Sequence, residues 1–311
     1  MSPFTSRPSL SVAALGEERL VAAIRRWLGS SSPSAPHGIG DDCAVLPAAR
    51  GRQLLTIDPV IYGRHFDATV PPGAVGAKLL KRNLSDIAAM GGRPVAAVVA
   101  LTLDRGVRLA WLEQFYRGLA AAARRHGVAV VGGDVAEAKG ALAASLALLG
   151  VADGPRAVTR AGARRGDWIY VTGVLGASVR SGHHHAFTPR LAEGAWLARR
   201  AGVRAMMDVS DGLAKDLRAL TPRGAQAALG AALLPRRRGA SVVSALGEGE
   251  DYELVFALAA RAARPAFARA WRRAFPRVRL TCIGRFVPAG RLPAGFIDLR
   301  SCPGYEHLRR I

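Results

Sequence analysis

Acidic residues are scarce in this chain, and where they stand governs what it can fold into. Its 311 residues carry 44 Lys and Arg against 23 Asp and Glu, a formal charge of +21. Much of the acid is nonetheless gathered into a few short segments flanked by glycine, serine or threonine. These are Gly40-Asp41-Asp42, Thr56-Ile57-Asp58, Asn83-Leu84-Ser85-Asp86, Gly132-Gly133-Asp134, Asp208-Val209-Ser210-Asp211-Gly212 and Gly249-Glu250-Asp251-Tyr252-Glu253. An ionised carboxylate is costly inside an apolar core. Most of these segments therefore mark places where an apolar strand gives way to a loop or a helix, and the chain must alternate the two kinds of element.

The pattern predicts two alternating halves. In the first, Leu10–Leu28 has apolar residues at helical spacing, Cys43–Leu46 and Gln53–Ile57 read as strands, and a helix runs from Ala74 to Met90 before Gly91-Gly92. Val95–Leu103, Val128–Val131 and Ala141–Val151 are further strands, with a helix over Leu109–Arg125. In the second half, Trp168–Thr172, Met206–Val209, Tyr252–Leu258 and Leu280–Phe286 are strands, and Pro189–Ala201, Leu213–Leu220 and Ala262–Phe275 are helical. The linker Asp153-Gly154-Pro155 divides residues 1–152 from 153–311. The expected class is α/β (α+β), with mixed sheets covered by helices.

Half the residues are hydrophobic, enough for two substantial cores. No apolar stretch approaches the roughly 20 residues that span a bilayer, and Glu17, Glu18 and Arg19 interrupt any signal-peptide pattern. Cys43, Cys282 and Cys302 are too scattered for a disulfide framework or a zinc site. A cytoplasmic location is expected. The positive charge invites a nucleic-acid reading, but it is almost all arginine, spread over the chain, without interleaved stacking aromatics. Nucleic acid is not the expected partner.

Short aspartates on glycine turns suit hard cations, which take several oxygen ligands, so a magnesium site that handles phosphate is the first reading. Each segment also has a plainer one. Asp41-Asp42 after Gly-Ile-Gly and Asp58 after Leu54–Ile57 are equally Asx-turns. Asp86 lies on a mostly apolar helix with Asn83 three residues earlier on the same face. Gly132-Gly133 lets a backbone approach a phosphate, with Asp134 alongside for its metal. Ser210 or Asp211 either caps the following helix or helps its N-terminus seat a phosphate. His183-His184-His185 reads as a solvated loop, and Cys43 as a buried small residue.

Taken in order, these segments resemble the thiamine-monophosphate kinases, of the superfamily that includes aminoimidazole ribonucleotide synthetase and selenophosphate synthetase. The likeness runs from Glu17 to Tyr305 and is most specific at Gly38–Leu46, Asn83–Gly91, Val158–Gly176, Asp208–Leu213 and Gly249–Leu254. The resemblance implies a two-domain fold whose N-terminal domains pair in a homodimer. It implies magnesium ligation by Asp42, Asp58, Asp86, Asp134, Asp208 and Asp211, with an oxygen from Thr56. Nucleotide contacts fall on Gly133, Asp134, Arg160 and Ser210, and substrate contacts on His65, Glu250 and Tyr305. Asp42, Asp86, Asp134, Arg160 and Asp211 are the expected catalytic set. The implied reaction moves the γ-phosphoryl group of ATP to thiamine monophosphate, giving thiamine diphosphate. There is no Walker-type lysine loop.

The chain departs from the family pattern in places. Ile57-Asp58-Pro59 stands where Thr-Asp-Thr is usual, Val135-Ala136 where hydroxyls follow Gly-Gly-Asp, and Glu248 where a glycine precedes Gly249-Glu250. The stretches Gly176–Pro189 and Leu213–Gly247 are shortened. Lost hydroxyls weaken metal binding, which leaves a second expectation: a degenerate nucleotide- or thiamine-phosphate-binding protein of the same fold.

Overall fold

The computed structural model describes residues 1–40, 43–48, 50–290, 292, 295–299, 302 and 304. The chain divides into two compact units, Met1–Ile87 with Arg93–Val151, and Ala88–Gly92 with Ala152–Ile311. Among the described residues no helix is long and apolar enough to cross a membrane.

The first unit contains α1 (Gly16–Leu28), β1 (Gln53–Ile61), α2 (Pro72–Ala89), β2 (Gly92–Leu103), α3 (Leu109–His126), β3 (Ala129–Glu137) and β4 (Leu142–Ala152). Its sheet is mixed, in the order β1-β4-β2-β3, with β1 antiparallel to β4 and β2 parallel to β3. One face carries Val60, Leu101, Leu103 and Leu142 against Trp111, Leu112 and Phe115 of α3. Helices α2 and α3 meet almost backbone to backbone. A Cβ at Gly76 would come within 1.9 Å of the Phe115 carbonyl oxygen, and one at Gly118 within 1.9 Å of that of Gly73.

The second unit contains β5 (Trp168–Thr172), α4 (His183–Ala186), α5 (Leu191–Ala198), β6 (Val203–Asp208), α6 (Leu213–Leu220), β7 (Ala225–Gly230), α7 (Val242–Gly247), β8 (Leu254–Leu258), α8 (Arg264–Ala274), β9 (Leu280–Pro288) and β10 (Phe296–Ile297). Its six strands run β10-β7-β9-β5-β8-β6, antiparallel in each of these pairs. Both faces are covered. Ile169, Met207, Val255 and Ile283 pack with Leu217 of α6 and Leu246 of α7, whereas Tyr170, Met206 and Phe256 pack with Leu197 of α5 and Trp271 of α8.

Several expectations need correction. Cys43–Leu46 is not a strand, and Cys43 is exposed; among the described residues no strand pairs with this segment. Strand β1 does not stop at Ile57 but continues through Asp58 to Ile61, and β3 runs through its glycines. The histidine triplet is no solvated loop: it forms α4, with His184 buried and His183 Nε2 donating to the Asp251 carbonyl at 3.0 Å. Strand β7 and helix α7 were not foreseen; each is only six residues long, too short to show a clear apolar period.

Candidate active site

In the first unit, Thr56 and Asp58 lie in register with Leu148 and Leu146 of β4, both fully buried, so their side chains share the helix-covered face. There Thr56 Oγ1 donates to Asp86 Oδ2 of α2 at 2.5 Å. Asp58 Oδ1 pairs with Arg82 Nη2 at 3.3 Å, and Arg82 Nη1 donates to the Pro59 carbonyl at 2.7 Å. Thus β1 and one face of α2 bring Thr56, Asp58 and Asp86 together. Asn83, on the same helix and fully buried, donates Nδ2 to the Leu79 carbonyl at 2.9 Å, while its Oδ1 has no partner among the described residues.

His65 is fixed at the loop after β1. Its Nδ1 accepts from the Ile61 amide at 3.1 Å, which leaves the proton of the neutral ring on Nε2. Lys78, fully buried on α2, donates to the His65 carbonyl at 2.9 Å. Asp134 lies elsewhere. Strand β3 forms the sheet edge opposite β1, and two strands separate them, roughly 14 Å at the usual strand spacing. Gly133 fits there because a Cβ would come within 2.0 Å of the Val99 carbonyl oxygen. A cavity of about 50 Å³ opens beside it, lined by Val21, Ile24, Tyr116, Gly132, Gly133 and Asp134 among others. Asp42 and Tyr305 lie outside the described residues.

In the second unit, Asp208 ends β6 and is buried. Beyond it the chain keeps pairing. Val209 N donates to the Glu253 carbonyl at 2.8 Å, Tyr252 N to the Val209 carbonyl at 2.8 Å, and Glu250 N to the Ser210 carbonyl at 2.7 Å. The Asp208–Gly212 and Gly249–Glu253 segments are therefore adjacent rungs of one ladder. Asp211 pairs with Lys215 Nζ at 2.6 Å. The amides of Ser210 and Asp211 are not free for a phosphate, as the sequence suggested: both donate to Asp216 Oδ2, at 3.0 and 3.1 Å. Burial and the neighbouring Asp211 charge push the Asp216 carboxyl up to about 7, against the pull of those two amides.

Arg160 is exposed and makes no hydrogen bond or ion pair among the described residues. It runs beside the edge strand β6, where the adjacent Thr159 carbonyl accepts from Met206 N at 3.1 Å, two residues before Asp208. Glu253 is held by Arg190 through a two-pronged ion pair of 2.7 and 2.6 Å and accepts from Thr172 Oγ1 at 2.6 Å. Asp216, Arg82, Lys78 and Arg190 were not singled out from the sequence. Of these only Asp216 carried a signal, an acid one turn into a helix after a serine.

Among the described residues no three His, Cys, Asp or Glu side chains gather closely enough to hold a metal by themselves. The donors present are hard oxygens: Asp86, Thr56 and Asp58 in one unit, Asp208 and Asp211 in the other. Taken by itself, each group has the donor chemistry that suits magnesium, which is bound by one or two carboxylates plus phosphate oxygens and water. The buried Asn83 Oδ1 adds an oxygen on the helix that carries Asp86.

Residues 40–152 match the family described as AIR synthase related protein, N-terminal domain. The thiamine-monophosphate kinase of Salmonella typhimurium is 34% identical over 273 residues, 78% of this chain and 82% of that protein. The crystal structure of thiamine-monophosphate kinase from Stenotrophomonas maltophilia superposes with a TM-score of 0.72 at 31% identity, over 86% of this chain and 94% of that one. AaThiL complexed with AMPPCP and TMP gives 0.67 at 29% identity, over 92% and 94%. With these similarities spanning most of both chains, and with the acidic segments arranged as described, the chain belongs to the thiamine-monophosphate kinase family.

Proposed function

We propose that the protein transfers the γ-phosphoryl group of ATP to thiamine monophosphate, with residues 1–152 and 153–311 as its two domains. The observation that carries this reading is the ladder between Asp208–Gly212 and Gly249–Glu253. It sets residues of the expected nucleotide and metal class, Ser210 and Asp211, beside Glu250 of the expected substrate class. The relatives' names and the complex with AMPPCP and TMP support the same pair of substrates.

The chemistry asks little of acid–base groups. A phosphate monoester has a second pKa near 6, so the acceptor is already anionic at neutral pH. The barrier is the meeting of two anions, and catalysis rests on positioning and cationic charge. Arg160 has a guanidinium whose planar fork can bind two phosphate oxygens. Asp86, Asp58, Thr56, Asp134, Asp208 and Asp211, with Asp42, would hold magnesium, which supplies charge neutralisation between the phosphates. Thr56 fixes the orientation of Asp86, and Asp216 fixes the turn carrying Ser210 and Asp211. His65, Glu250 and Tyr305 would take the thiamine moiety. The test is incubation of the purified protein with ATP, magnesium and thiamine monophosphate, followed by chromatography for thiamine diphosphate. Absence of product overturns the reading; ATP binding retained without turnover would favour the degenerate alternative, for which the missing hydroxyls at Ile57-Asp58-Pro59 and Val135-Ala136 speak.

We further propose a cytoplasmic homodimer, and the first unit supports its self-association. Leu55, Ile57 and Val98 are 77%, 66% and 42% exposed, and Leu55 and Ile57 pair with Leu149 and Ala147 on the face away from α3. A continuous apolar sheet face of this kind wants cover. Sedimentation showing a monomer at micromolar concentration would remove that part.

A further inference from the structure

Three non-glycine residues have left-handed backbone among the described residues: Ala177 (φ 55°), Glu250 (φ 56°) and Tyr252 (φ 52°). All three meet at one buried side chain, that of Asp251. Glu250 and Tyr252 flank it in sequence. Ala177 lies between Gly176, whose amide donates to both Asp251 oxygens at 2.9 and 3.0 Å, and Ser178, whose Oγ donates at 2.6 Å. Arg237 Nη1 adds a third donor at 3.2 Å and also bonds the Gly176 carbonyl. The Asp251 backbone is held as well, through its carbonyl and His183 Nε2. Left-handed backbone is unfavourable for side chains larger than glycine and persists where the surroundings over-determine it. Here a fully enclosed carboxylate is the common anchor.

We propose that Asp251, with Arg237, is a positioning residue for the thiamine-phosphate side of the site. It acts through Glu250 and thus rests on the functional reading above. The neighbours of Glu250 point inward. Tyr252 is buried and stacks on Phe187 with ring centroids 3.9 Å apart, and Glu253 is tied to Arg190 and Thr172. Asp251 faces Gly176, Ser178 and Arg237. Glu250 alone in Glu250–Glu253 remains half-buried rather than buried. Its left-handed φ sets its direction, and the anchor on Asp251 sets that φ. The nucleotide-side residues share the Glu250 N–Ser210 carbonyl bond with this segment but have a carboxylate brace of their own, Asp216 on the amides of Ser210 and Asp211. The two substrates therefore depend on different buried carboxylates.

The test measures steady-state kinetics of Asp251→Asn with each substrate varied in turn. The variant keeps the shape of the side chain and loses its charge. KM for thiamine monophosphate should rise about tenfold, with KM for ATP unchanged within about twofold, the signature of displaced binding groups on one side only. Equal effects on both substrates, or none, overturn the proposal. In a Glu250→Ala background, Asp251→Asn should add no further rise, an outcome that a merely structural role would not produce; a full additional rise overturns it. Should Asp251→Asn fail to fold, Ser178→Ala removes one donor and leaves the carboxylate. It should raise the same KM about threefold, and no rise overturns the proposal. Wild-type protein that makes no thiamine diphosphate refutes the parent reading instead, which separates the two failures.

Discussion

Strands β1 and β8 are both rich in apolar residues, yet every residue of β8 is buried whereas Leu55 and Ile57 of β1 stand open. The six-stranded sheet lies between α6 and α7 on one side and α5 and α8 on the other. Its functional polar groups are consequently pushed to strand ends, as at Asp208. The four-stranded sheet is covered on one face, and there Thr56 and Asp58 turn toward α2. Its other face keeps an apolar character that a single chain does not use. Apolar content alone therefore says little about a strand's place; what decides is whether the residues alternating with the core ones are themselves covered.

The sharpest way to break that contrast is to place the same charge in both sheets. Val255→Asp should leave an unpaired charge in the covered sheet, at a cost of about 3–5 kcal/mol, a large share of an ordinary domain's stability; cooperative melting by circular dichroism should be lost. Leu55→Asp should leave melting nearly intact and weaken self-association in sedimentation. Equal unfolding by both would erase the distinction between the sheets.

Next in size is Asp86→Asn on the helix-facing side of the half-covered sheet. Turnover should fall about a hundredfold with the fold retained, measured by thiamine diphosphate formation at low magnesium. Near-normal turnover would remove Asp86 from the metal set. On the second unit, Arg160→Lys should lower turnover about tenfold, because a lysine cannot reproduce charge-assisted bonds to two phosphate oxygens. Arg164→Lys and Arg165→Lys should stay within about twofold. The same loss at all three would reduce Arg160 to general surface charge.

The smallest effect concerns pH and the covered unit alone. Burial pushes the Asp251 carboxyl up to about 6, more than Ser178, Gly176 and Arg237 pull it down. The folded state thus holds this proton more tightly than the unfolded chain. The resulting stabilisation is fully present below the ordinary value of 3.8 and lost as pH rises through about 6. Between pH 7 and 5, the melting temperature of the wild type should rise relative to that of Asp251→Asn. A constant difference across that range would contradict the burial account.

Much of the plan was legible in the sequence. The acidic segments, the principal helices and most strands follow from apolar periodicity and glycine punctuation, which are local properties. What escaped was long-range. Asp251 is visible inside Gly-Glu-Asp-Tyr-Glu, but two of its donors come from Gly176 and Ser178, more than 70 residues earlier. Asp58 and Asp134 read alike as acids after strands, yet topology sends them to opposite sheet edges. The histidine triplet read as solvated because composition does not reveal that α4 closes over Asp251.

The near-contact of α2 and α3 at Gly76 and Gly118 sets a mechanical tolerance. Helices cushioned by side chains can slide as those side chains repack. Two backbones in contact have no such play. Asp86 lies ten residues beyond Gly76, about 15 Å along the helix axis, so its height above Thr56 is indexed by that crossing. A single methyl group at Gly76 would act as a shim, lifting the helix from its bearing. A residue with no side chain and no chemistry thereby gauges how far a carboxylate stands from its partner on the sheet.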